Sequence, residues 1–320
     1  MKQRLRSPLS LGERKMKVDE NSRVVYYHLP GLFEFYELYR LFLQLFREHR
    51  EYFCDGCEIG SIYGAPMDCI WGGGRVECGT AEPREVLALL REYDISARLT
   101  FSNSLLKEEH LADRRCNELC RMFEAGKVKN GVIVHSELLT QYLRENYPGL
   151  YLVSSTTKVL TEFDSFRKEL EREEFSYVVP DFRLNRDFDR LNALPDELKV
   201  KAEFLCNECC WFGCADRKEC YEAVSRKNLG EGEDFPEHHC LAPGGNRGYR
   251  FSKAMENPGF IGTEDILEKY LPMGFNNFKI EGRGLGSALI LEFLLYYMTK
   301  PEFRLKVREE IYLDNMLDLF

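Results

Sequence analysis

The chain has 320 residues, enough for one large domain or two ordinary ones, and its 44 % apolar and 13 % aromatic content can fill a sizeable core. A net charge of −9 means that no whole-molecule basic field draws it to nucleic acid or to anionic lipid. No stretch approaches the ~18 uninterrupted apolar residues of a membrane span. The opening MKQRLRSPLSLGERKMKVDE is basic without an apolar core, so a disordered tail over 1–20 is expected rather than an export signal, and the expected location is cytoplasmic.

Short apolar or β-branched runs alternate with amphipathic segments along the chain. The first strand is predicted at 23–28 (RVVYYH), with a helix over 31–51 whose Leu32, Phe35, Leu38, Tyr39, Phe42, Leu43 and Phe46 repeat at helical spacing. A second strand at 57–63 runs into the Gly-rich loop 71–75, and Pro83 suits the first turn of a helix over 83–93. Strands at 96–101, 131–135, 151–155 and 176–180 are each followed by a helix, over 105–125, 137–146, 162–173 and 188–193. A seventh strand is predicted at 199–205 and an eighth at 275–280, closed by a helix over 286–298.

Eight strand–helix units in order predict a (β/α)8 barrel over 21–300, with an open doubly wound sheet as the alternative and a helical extension over 301–320. The seventh unit is unusual. Between its strand and a helix over 263–271, capped by Thr263, lies an insertion, 205–262, of more than fifty residues. Leaving the C-terminal end of a barrel strand, it belongs over the face where barrel enzymes keep their active sites.

Six of the twelve cysteines fall in that insertion, between Cys206 and Cys240. Thiolates at this density suit zinc or an iron–sulfur cluster. The preferred ligands are Cys210, Cys214, Cys220 and Cys240, with Cys206 and Cys209 competing for one position, and His238 or His239 able to replace a cysteine in a zinc site. Reduced core thiols and disulfides are the alternatives. Cys116 and Cys120, four apart on one helix, read as core, and the Cys54–Cys57 pair enters its strand from the wrong end for a redox motif.

At the end of strand eight, Lys279 and Glu281 should project to the same side, into the barrel mouth, where they either pair structurally or meet substrate. Arg283, among Gly282, Gly284 and Gly286, precedes the last barrel helix, a position that often binds anions. His28, Tyr63, Asn103, His135, Ser155, Thr156, Asp181 and Glu208 are further strand-end polar residues; His28 and His135 read more readily as hydrogen-bonded structural groups than as catalysts.

The order of elements, the run Asn207-Glu208-Cys209-Cys210 continuing to Cys214 and Arg217, the stretch 256–261 (ENPGFI) and 278–283 (FKIEGR) together resemble the collagenase-like peptidase family (peptidase family U-32). The resemblance implies a (β/α)8 barrel and, in several branches, four cysteines holding a [4Fe–4S] cluster that supports oxygen-independent hydroxylation of ubiquinone precursors or RNA bases. Carried over, Cys210, Cys214, Cys220 and Cys240 would hold the cluster, and Lys279, Glu281 and Arg283 would line the pocket. Cys206-Asn207-Glu208 stands where the family's glycine-and-cysteine signature usually lies, and the cysteine spacing differs from that of the hydroxylation proteins.

Three functions follow as expectations. The first is an iron–sulfur redox enzyme or hydroxylase component acting on a small anionic molecule, which the acidic chain favours over RNA, with a homologous partner subunit. The second is a zinc-dependent peptidase in which Glu281 or Glu208 is the general base. The third is a non-catalytic barrel with a structural metal.

Overall fold

The computed structural model describes residues 24–67, 69–74, 79–231, 235, 238–240, 242, 251–282 and 284–317. The expected tail over 1–20 and Arg283 lie outside them. The strands are β1 Val25–Pro30, β2 Cys57–Gly64, β3 Ser96–Phe101, β4 Gly131–Val134, β5 Tyr151–Ser154, β6 Phe175–Val178, β7 Glu203–Leu205 and β8 Asn277–Lys279. They form one parallel sheet in the order β6-β5-β4-β3-β2-β1-β8-β7. Every strand lies beside its neighbours in sequence, β8 beside β1, and β6 meets the start of β7, so the order is cyclic and the open doubly wound alternative is excluded. Closure between β6 and β7 rests on a bridge between Val178 and Ala202, so the barrel has a seam there. No helix among the described residues is long and apolar enough to cross a membrane.

The outer ring comprises α1 Tyr36–Glu48, α2 Pro83–Glu92, α3 Arg114–Glu124, α4 Glu137–Asn146, α5 Phe163–Glu171 and the short α6 Phe188–Asn192 and α7 Asp196–Lys199. Each long helix turns an apolar stripe inward, as the 3.6-residue period requires; in α1 the buried side chains are Leu38, Tyr39, Leu41, Phe42 and Leu43. Pro83 occupies the first turn of α2 as expected. Cys57, Cys116 and Cys120 belong to the main core. Burial pushes the Cys57 thiol up to about 12, and a hydrogen bond with Cys69 together with burial raises that of Cys116.

The seventh unit departs most from expectation. Residues 196–199 are helical, with Pro195 as the N-cap, so β7 is only three residues long. The insertion is not structureless: α8 Arg217–Asn228 and α9 Phe251–Met255 lie within it. The helix over 263–271 runs as α10 Thr263–Asp265, a π-helical turn Ile266–Tyr270 and α11 Leu271–Met273. Pro272, which has no N–H to continue the α ladder, accounts for the change of register. After β8, α12 Ser287–Met298 completes the ring and α13 Arg304–Leu317 extends it.

Candidate active-site face and its cysteine loop

The barrel interior is layered. Its lower layer is charged, and Glu203 of β7 is its centre. Arg98 of β3 donates through Nη1 to Glu203 Oε2 at 2.5 Å and through Nε to the Tyr151 hydroxyl at 2.8 Å, with its guanidinium over the Tyr177 ring. Lys279 Nζ reaches Glu203 Oε1 at 3.1 Å and sits over the ring of Tyr63. Burial pushes the Glu203 carboxyl up, but Arg98, His28 and Lys279 outweigh it and hold the group well below the ordinary range.

His28 lies 3.5 Å from Glu203, yet burial and Arg98 lower its pKa to about 3. It is therefore neutral at ordinary pH, and its contact with Glu203 is not an ion pair. Its ring is fixed by Ser61 Oγ at Nδ1 and Asn277 Oδ1 at Nε2. Gly60 makes room for it, since a Cβ there would stand 2.7 Å from His28 Cε1.

Above this layer, Tyr63, Ile133, Val153, Val179, Phe182 and Leu205 make a second, apolar cluster, against which Cys210 and Phe212 pack from above. Lys279 is thus covered, at 4 % exposure, by the side chains that fill the barrel, while Glu281 stands two residues further along at the mouth. β8 ends at Lys279, so the alternation expected for the two does not extend to Glu281. Lys279 is a partner of Glu203, and Glu281 is the member of the pair that meets the cysteine loop.

The loop after β7 crosses the mouth. Glu208 Oε1 accepts the Cys210 N–H at 2.9 Å, and its Oε2 pairs with Arg217 Nη2 at 2.5 Å. Arg217, the first residue of α8 and 1 % exposed, also faces Asp181 Oδ2 at 3.4 Å and Thr156 Oγ1 at 3.4 Å. Further along α8, Ser225 meets Ser104 and Asn103, and Asn228 Nδ2 donates to the Gly72 carbonyl at 2.7 Å. The helix therefore roofs the mouth from β7 across to the loops after β2 and β3. Gly72 lies against this helix, where a Cβ would stand 3.2 Å from Asn228 Nδ2, and Gly73 lies against the loop after β3, where a Cβ would stand 2.2 Å from the Ser102 carbonyl oxygen.

Among the described cysteines, Cys57, Cys69, Cys116, Cys120 and Cys206 are buried, Cys54, Cys209, Cys210, Cys214 and Cys220 are half-buried, and Cys240 is exposed. Cys206 donates to the Phe204 carbonyl at 3.7 Å, and burial and Glu203 push its thiol up, so it behaves as a core thiol. Cys209 Sγ lies 3.3 Å from Glu281 Oε1 and 3.7 Å from Glu208 Oε1.

Among the described residues, Glu208, Cys209 and Glu281 are the group of potential ligands whose atoms all fall within 4.8 Å of one another. That spacing tests a single-ion site: tetrahedral Zn–S bonds of about 2.3 Å put sulfurs about 3.8 Å apart. Cys210, Cys214, Cys220 and Cys240 do not gather at that spacing. A cubane spreads its thiolates more widely, because each binds a different iron.

No family model matches the chain, and no curated protein does. The solved structure of the U32 peptidase Mk0906 is similar. It shares 16 % identity and superposes with a TM-score of 0.49, over 86 % of this chain and 98 % of that one. At that level the likeness carries no argument about chemistry, which rests on the residues themselves.

The loop's backbone is tied down from Glu208 to Cys214, while the thiols beyond Cys206 stay half-buried or exposed. Arg183 donates through Nε to the Phe212 carbonyl at 3.0 Å and through Nη2 to that of Cys214 at 2.5 Å. Asn257 Nδ2 donates to the carbonyls of Glu208 and Cys210. A fixed backbone bearing half-exposed thiols is what a polynuclear thiolate site requires. Setting Cys209 aside for Glu281, four remain, Cys210, Cys214, Cys220 and Cys240, which is the number a [4Fe–4S] cluster takes.

Sequence reasoning did not assign Arg98, Glu203, Arg183 or Asn257. The alternation of SARLTF places Arg98 on the face opposite Ala97 and Leu99, a usable sign that β3 carries a charge into the barrel. His135, at the end of β4, is held at Nδ1 by Thr157 Oγ1 at 2.8 Å, and burial with Lys158 and Lys218 nearby lowers its pKa to about 4. Two surface grooves are present, one of about 470 Å³ lined by the loop after β1 and the starts of α1, α2 and α12, and one of about 420 Å³ between α2 and α3.

Proposed function

We propose that this barrel is a redox enzyme, or the redox subunit of one, whose β7 loop holds an iron–sulfur cluster through Cys210, Cys214, Cys220 and Cys240 above the mouth. The observation that supports the reading is the burial of the thiols: among the described residues those of the barrel are buried except Cys54, whereas Cys210 and Cys214 stay half-buried on a pinned backbone, with Cys220 half-buried and Cys240 exposed beyond them. Thiols that water and oxidants can reach are an oxidation liability, which metal ligation removes. A bound cluster would supply one-electron transfer. Around it, Glu281 would hold or accept a proton at Oε1 beside Cys209, and Arg283 with the glycines before α12 would hold a small anion, such as a carboxylate substrate. Oxygen-independent hydroxylation is the reaction class that the family resemblance implies.

Replacing Cys210, Cys214, Cys220 or Cys240 singly by Ser should cut iron bound after anaerobic reconstitution by more than half, while Cys206→Ser leaves it unchanged. Equal iron in all five variants would remove the assignment.

A second reading, a zinc-dependent hydrolase, is favoured by the spacing of Glu208, Cys209 and Glu281. Its weakness is Glu208, whose two oxygens already serve the Cys210 N–H and Arg217. Stoichiometric zinc lost on Glu281→Gln, with no iron bound, would favour it.

A further inference from the structure

We propose that Arg217 is the positioning residue of the cysteine loop, acting through Glu208 and Asp181 to set the relative places of Cys210, Cys214 and Cys220. The inference rests on the reading of that loop as a metal site.

The contacts form one chain around the segment. The Cys210 N–H donates to Glu208, Glu208 pairs with Arg217, and Arg217 faces Asp181. Asp181 Oδ1 in turn pairs with Arg183 Nη1 at 3.3 Å, and Arg183 holds the carbonyls of Phe212 and Cys214. Cys220 sits one turn along the helix that Arg217 begins, its N–H bonded to the Asp216 carbonyl. Movement of Arg217 would therefore be felt at all three thiol-bearing positions.

The choice of residue is physical. Arg217 is flanked by the rings of Phe182 and Tyr221, at 4.9 and 5.4 Å, and a planar guanidinium can meet two aromatic faces and two carboxylates at once where an ammonium cannot. Burying Arg217 beside Asp181 and Glu208 is costly unless the charges stay paired, so loss of one contact is felt by the others. The ladder ends with the Cys206 N–H on the Lys279 carbonyl, and beyond it these charged contacts act with the amide bonds of Asn207 and Asn257 to hold the segment.

The test uses full-length protein, stripped of metal without oxygen, pulsed with iodoacetamide and mapped by peptide mass spectrometry. Reconstitution with ferrous iron and sulfide follows on a second aliquot. The account expects Arg217→Met to keep its circular dichroism, to alkylate at Cys210 and Cys214 about tenfold faster than the parent, and to bind less than half its iron. Arg217→Lys should fall between.

Should Arg217→Met fail to fold, Glu208→Gln keeps an acceptor for the Cys210 N–H but removes the charge, and should shift both readouts in the same direction by less. Parental alkylation and iron in a folded Arg217→Met, or in Glu208→Gln when Arg217→Met does not fold, would overturn the proposal. Faster alkylation in the variant, when the parent itself takes up no iron, would overturn the metal reading and leave the positioning role standing.

Discussion

Two arginine–carboxylate pairs, five residues apart along β7 and its loop, have nearly the same local geometry. Arg98–Glu203 and Arg217–Glu208 both close to 2.5 Å, and both are buried to within 1 %. Their surroundings differ. Around Glu203 stand His28, Lys279 and Asn277, with Tyr151 and Tyr177 against Arg98, on strands already fixed by backbone ladders. Around Glu208 stand a loop, the first turn of α8 and half-buried thiols. Burial and pairing alone do not separate scaffold from site. What separates them is the segment each pair holds, a strand in one case and a thiol-bearing loop in the other.

The largest test of that contrast is Arg98→Met. It would leave Glu203 with Lys279 alone as a charged partner, and loss of one member of a buried pair costs about 3–5 kcal/mol. Urea unfolding should show that loss, while iron bound per folded chain stays at the parental level. A folded Arg98→Met protein with parental stability, or with its iron halved, would mean that the two pairs are not separate in kind.

A second expectation concerns acid. The pKa of His28 is lowered from 6.5 to about 3 and that of His135 from 6.5 to about 4 in the folded chain. Between those folded values and 6.5 the unfolded chain binds the extra protons, so each histidine's contribution is full above pH 6.5 and is lost as pH falls. The urea midpoint should decline from pH 6.5 downward, and His28→Gln should flatten more of the slope than His135→Gln. A midpoint independent of pH down to about 4 would contradict the buried, neutral assignment.

The smallest effect belongs to the loop's tip. Trp211 is 46 % exposed and Trp71 fully buried, so a change confined to the exposed component of tryptophan emission reports on the loop. A Cβ on Gly213 would lie 2.7 Å from Trp211 Cζ2, so Gly213→Ala should move that ring and shift the emission with little change in stability. Unchanged emission would mean that the ring does not rest there.

The barrel was legible because every β/α unit carries its own hydrophobic period, and the strands need only that period and their order. The insertion was legible as a cysteine-rich, mouth-facing segment but not as structure. In α8 the buried positions are Arg217, Tyr221 and Ser225, four apart, so its inner face is mostly polar and leaves no apolar stripe to read. Arg217 could be quoted from the sequence, but its role depends on Asp181 and Glu208, which meet it only in three dimensions. Lys279 was read toward substrate because its partner, Glu203, sits on another strand and no local pattern links the two.

The most direct test of the central claim is an absorption spectrum with iron, sulfide and zinc analysis on full-length protein purified without oxygen. The account predicts broad visible absorption with about four irons and matching sulfide per chain. Colourless protein that holds neither iron nor sulfide, before and after reconstitution, would contradict it.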